Sequence, residues 1–60
     1  MAKFELYRVA TNDYRWRLKA GTGQAKAHGN SHVTKRSALA EIEDVQDSVT
    51  DAEIVDLTGE

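Results

Sequence analysis

The sequence predicts an α+β domain of two layers, ordered βββαβ, with a three-stranded antiparallel meander packed on one helix. Three observations carry that prediction. Tyr14, Trp16, Leu18 and Ala20 alternate strictly with Arg15, Arg17 and Lys19, the period of a half-buried strand with cations toward water. The two hairpins around this strand can be registered so that apolar residues face apolar residues in both. Ala38, Ile42, Val45 and Val49 then recur at a 4-3-4 spacing with Leu39 beside them, the stripe of a helix that covers one sheet face.

Phe4 to Val9 reads as the first strand, with Phe4 and Leu6 on one face and Glu5 and Tyr7 on the other. Ala10-Thr11-Asn12 is a short turn, where Asn tolerates the left-handed conformation. Tyr14 to Ala20 is the second strand, Thr22-Gly23 a tight two-residue turn, and Gln24 to His28 the third strand. These loops set Phe4 against Leu18, Leu6 against Trp16, Glu5 against Arg17 and Tyr7 against Arg15. On the other side they set Leu18 against Ala27, Ala20 against Ala25, Arg17 against His28 and Lys19 against Lys26. Gly29-Asn30-Ser31 breaks the third strand, and Thr34 caps a helix that runs to about Ser48. Thr50-Asp51 ends it. Ala52 to Leu57 is short and rich in β-branched residues and reads as a fourth strand, paired within the chain or with a second copy.

A chain of 60 residues is one small domain, and it buries only about 60% of its unfolded surface. Such chains usually draw on disulfides, metal or a partner for stability. The absence of Cys removes disulfides, thiolate zinc and a cysteine nucleophile, and fits a reducing, cytoplasmic setting. No apolar run approaches a membrane span, and the first residues lead directly into a strand pattern with no signal-peptide core. The net charge of −2 hides an asymmetry. All eight Lys and Arg lie between Lys3 and Arg36, and every acid except Glu5 and Asp13 lies from Ser37 onward. A soluble surface explains this plainly; pairing of the basic half of one copy with the acidic half of another explains it specifically.

The residues that carry this reading, Phe4-Glu5-Leu6-Tyr7, Tyr14-Arg15-Trp16-Arg17-Leu18-Lys19, the Gly turn, the helix from Lys35 to Val45 and Val55-Asp56-Leu57-Thr58, resemble the YegP-like family of small domains. The likeness covers nearly the whole chain, which is expected to be a single YegP-like domain over residues 1–60. It implies a small antiparallel sheet on one helix, often present as two tandem copies, and it implies no activity. Val33 stands where the family usually has an aromatic.

Several constellations could bind a ligand. Tyr7, Arg15, Arg17, Lys19 and Lys26, with Glu5 and His28, share the sheet face away from the helix, and cations beside an aromatic suit a nucleic-acid backbone. Lys35 and Arg36 stand in the first helical turn while Glu41, Glu43, Asp44 and Asp47 follow, the reverse of what the helix dipole favours, so an anion is a candidate ligand there. His28 and His32 straddle a loop and do not share a helix face, so no metal is expected, nor any cofactor. Ser31 or Ser37 with His32 and Asp13 would make a forced triad, and a two-layer domain of this size has little room for a water-excluding site, so no enzyme is expected. The leading expectation is a non-catalytic interaction or structural module acting as a homodimer, with Ala52, Ile54, Val55 and Leu57 in the interface. Nucleic-acid or anion binding through the basic residues is the alternative.

Overall fold

The computed structural model describes residues 1–60. It contains strands β1 (Lys3–Ala10), β2 (Asp13–Lys19) and β3 (Ala25–His28) and helix α1 (Lys35–Val49). The strands form one antiparallel sheet in the order β1-β2-β3, so the aromatic strand lies in the centre and β1 and β3 are edges. Helix α1 packs on β2 and β1. No helix is long and apolar enough to cross a membrane.

The β1–β2 register is the expected one: Phe4 faces Leu18, Glu5 faces Arg17, Leu6 faces Trp16 and Tyr7 faces Arg15. The connection differs. Val9 bulges out of β1, Ala10 pairs with Asp13, and Thr11-Asn12 alone makes the turn, with Asn12 at φ 57°. In the second hairpin Gly23 N–H donates to Ala20 C=O (2.9 Å) and Ala20 N–H to Gln24 C=O (2.8 Å). This is a three-residue loop, Gly21-Thr22-Gly23, closed by Gly23 at φ 92°, rather than a two-residue turn. Lys19 therefore pairs with Ala25, not Lys26, and an irregularity there returns Leu18 to Ala27 and Arg17 to His28. The extra loop residue and the bulge cancel, which is why the pairs nearer the core match the expectation.

Beyond β3 the chain keeps to the edge of β2. Gly29 N–H donates to Trp16 C=O (2.9 Å), and Tyr14 and His32 exchange N–H···O=C bonds of 2.7 and 2.8 Å. A Cβ at Gly29 would overlap the Trp16 indole, so only glycine passes there. Thr34 caps α1 in extended backbone, its hydroxyl accepting from Ser37 N–H at 3.1 Å.

Trp16, Ala38 and Ile42 are the buried core, and Phe4 meets Trp16 edge-on at 5.6 Å between ring centroids. Val45 is half-buried, whereas Leu39 and Val49 of the same stripe remain exposed. The fourth strand does not pair within the chain. Ala52–Leu57 has no regular structure, because no tight turn returns it to either edge and Asp56 holds Thr58 in a local turn, accepting from its N–H at 2.9 Å and its hydroxyl at 2.7 Å.

Candidate functional site

The strand period puts Glu5, Tyr7, Arg15, Arg17, Lys19 and His28 on the open face of the sheet, opposite the helix. Their charges are largely spent on one another. Glu5 Oε1 accepts from Arg17 Nε at 2.7 Å, and Lys3 and Lys19 each approach the same carboxylate to 3.7 Å. Arg17 also lies over the Tyr7 ring, 4.6 Å from its centroid, and occupies the face on which a base would stack. Arg15 pairs with Asp13, donating through Nε (3.1 Å) and Nη2 (3.2 Å), and Ser31 donates to the same carboxylate at 2.6 Å. The Arg17 hydrogen bond holds Glu5 below its ordinary pKa, and Arg15, then Ser31, does the same for Asp13. Lys26, at the β3 irregularity, donates to Gln24 Oε1 at 3.1 Å.

Lys35 and Arg36 stand on the other layer, in the first turn of α1, apart from the sheet cations. Lys35 joins Leu6, Tyr7, Arg8 and Tyr14 around an open cleft of about 290 Å³ at the β1 edge. Arg8 and Lys35 have no acidic partner within 4.0 Å. The interface candidates Ile54, Val55 and Leu57 are exposed at 96, 63 and 89%, and Ala52 is exposed beside them.

A second polar cluster, absent from the sequence reading, fills the seam between helix and sheet. Glu41 accepts from the Trp16 indole N–H, from Asn30 N–H at 3.2 Å and from Asn30 Nδ2 at 3.3 Å. His32 Nε2 lies 3.2 Å from Glu41 Oε1 at an angle too poor for a hydrogen bond, while its Nδ1 is 2.7 Å from Ser37 Oγ. The Trp16 hydrogen bond, then His32, lowers the Glu41 pKa. The signal for this cluster was the place of Glu41, three residues after Ala38 and four before Val45, hence on the apolar stripe. His28 points to the open face while His32 faces Ser37, so the two histidines do not converge.

Ser37, His32 and Glu41 thus approach a serine-triad order, and the cleft at the β1 edge is lined by other residues. Both Glu41 oxygens are engaged by Trp16 and Asn30, and the cluster clamps the chain from Asn30 to Ser37 onto the sheet.

A family profile described as "Domain of unknown function (DUF1508)" matches residues 10–56. The chain is 40% identical to a "UPF0339 protein" of Treponema denticola over 92% of its own length and 95% of that protein's. It is 36% identical to a UPF0339 protein of Agrobacterium fabrum, over 97% of this chain and 94% of the other. A solution structure of a protein from Haloferax volcanii superposes with a TM-score of 0.75 at 34% identity, over 92% of this chain and 93% of that one.

Proposed function

The chain belongs to the DUF1508 family of unknown function, as its YegP-like residues implied, and from that premise we propose that it is a non-catalytic interaction module acting as a homodimer. One observation carries the reading. Only Trp16, Ala38 and Ile42 are buried, while Val9, Val33, Leu39, Val49, Ile54, Val55 and Leu57 are exposed. Isolated exposed apolar residues are ordinary, but so many beside so thin a core leave a domain of this size short of burial. A second copy supplies that burial and brings the acidic half of one subunit to the basic half of the other. Ala52, Ile54, Val55 and Leu57 are the residues proposed for the interface. They sit on an exposed segment that pairs with neither edge of the sheet.

The ion pairs on the open sheet face speak against nucleic acid as the principal ligand. Arg15 and Arg17 are tied to Asp13 and Glu5, and Tyr7 is covered. Sedimentation at micromolar concentration is expected to return twice the 6.7 kDa chain mass, and the monomer mass would defeat the proposal. Single-stranded RNA is expected to give no change in fluorescence anisotropy at low salt. Binding that weakens steeply as salt is added would favour the polyanion reading through Arg15, Arg17, Lys19 and Lys26. A serine-directed phosphonate is expected to leave Ser37 unlabelled.

A further inference from the structure

We infer that the cleft at the β1 edge is a binding site for a small phosphate monoester that carries an aromatic ring. The inference goes beyond the homodimer reading and does not depend on it. It starts from where the chain leaves charge unspent. Eight basic residues stand against ten acids, so an acid is available for every base. Lys3, Arg15, Arg17 and Lys19 pair with Glu5 or Asp13, and Lys26 donates to Gln24. Arg8, Lys35 and Arg36 make no ion pair and no side-chain hydrogen bond. Two of these three, Arg8 and Lys35, line the same cleft from opposite layers of the fold, and no acid lines it with them.

The register explains how the cleft forms. Leu6 and Arg8 alternate along β1, and Arg8 faces Tyr14 across the hairpin, so Leu6, Arg8 and Tyr14 share the side of the sheet on which Trp16 meets the helix. The buried positions of α1 begin at Ala38, a turn beyond Lys35, which leaves the sheet beside the first turn open. The walls then set the chemistry of the ligand. Arg8 offers a planar fork that matches two phosphate oxygens, and Lys35 offers a compact charge. Two unpaired cations suit a phosphate monoester, which carries about −1.5 to −2 at pH 7, better than a singly charged carboxylate. The Tyr14 hydroxyl, without a partner in the chain, adds a donor. Leu6 and the two tyrosines give apolar and aromatic surface to a ring. A volume of about 290 Å³ stands at the small end of ligand sites and suits a small molecule. The diester of an RNA chain has one charge per phosphate, so the expectation for single-stranded RNA is unchanged.

The test follows the amide NMR signals of the full chain in phosphate-free buffer during titration with phenyl phosphate, inorganic phosphate and phenol. Phenyl phosphate is expected to bind with a dissociation constant of about 1 mM or below and to move the signals of Leu6, Arg8, Tyr14 and Lys35. Inorganic phosphate and phenol are each expected to bind at least about tenfold more weakly, because each lacks half of the match. Arg8→Gln and Lys35→Gln should each weaken phenyl phosphate by about fivefold or more. Lys26→Gln makes the same change in net charge outside the cleft and should leave the affinity unchanged. All three residues are exposed, so the fold is expected to persist, and the spectra of the free variants check it. No shift at about ten times the expected constant overturns the inference. So does inorganic phosphate that binds as well as phenyl phosphate, since the apolar wall then plays no part. An equal loss in Lys26→Gln overturns it too, since the attraction is then diffuse charge and not a site. Adenosine 5′-monophosphate identifies the source: tighter binding than phenyl phosphate supports a nucleotide, and weaker binding at the same signals supports a single-ring ester.

Discussion

Trp16 is the residue on which the fold turns. Its ring is buried against Phe4 under the helix, and its indole N–H is satisfied by Glu41. Trp16→Ala should cost about 3–5 kcal/mol, since a large buried ring is lost from the core. A thermal melt like that of the wild type would remove Trp16 from the core. Gly29→Ala tests the same ring from the other side. The added Cβ would overlap the indole, and the strand must shift, at about 1–3 kcal/mol by analogy with overpacked cores. Glu41 links this centre to pH. Its pKa is depressed by Trp16 and His32, so its contribution is fully present above the ordinary value of 4.5 and is lost as pH falls through the folded-state value. Glu5 and Asp13, depressed by Arg17 and Arg15, act in the same direction. The melting temperature should therefore fall below about pH 4.5, and Glu41→Gln should flatten part of that fall. A variant with the same acid slope as wild type would show that Glu41 is not linked.

At the scale of elements, helix α1 is held by its cap and its packed stripe against an adverse charge order. No acid stands in its first turn and no base in its last. Ser48→Lys places a cation where the dipole favours one and should stabilise the chain by about 0.3–1 kcal/mol in a thermal melt. No gain would mean that tertiary contacts alone set the helix end. The hairpins show why spacing locates strands better than turns. Apolar pairing specified Phe4 against Leu18 and Leu6 against Trp16, because a slip by one residue would turn every side chain to the wrong face. Nothing in that pattern distinguishes a two-residue loop from a three-residue loop followed by a bulge. Gly23 at φ 92° and the Lys19–Ala25 pair are therefore structural findings. Gly23→Ala, strained by its positive φ, should cost about 1 kcal/mol and leave the β1–β2 hairpin intact by NMR.

For the whole molecule, the decisive quantity is how little one chain buries. A protein stabilised by association melts higher when concentrated, because mass action favours the folded dimer. The melting temperature of the full chain should rise over an approximately hundredfold increase in concentration, and that of the chain truncated after Asp51 should stay constant. Equal, concentration-independent melts would oppose the homodimer.

The sequence by itself determined the element order through the helix, the facing of Trp16 and the β1–β2 register, because period and polarity are local and each reports which side of an element meets the core. It also separated a basic half from an acidic half. Tertiary structure alone decided where those charges are spent: Arg17 on Glu5 and Tyr7, Arg15 on Asp13, and Glu41 on Trp16 and Asn30. It alone showed Lys35 beside Arg8 at the β1 edge and Ala52–Leu57 without a place in its own sheet. The physical reason is range. A side chain's burial preference can be read from its neighbours in sequence, whereas a hydrogen bond across 25 residues, such as that from Trp16 to Glu41, exists only once the helix has crossed the sheet.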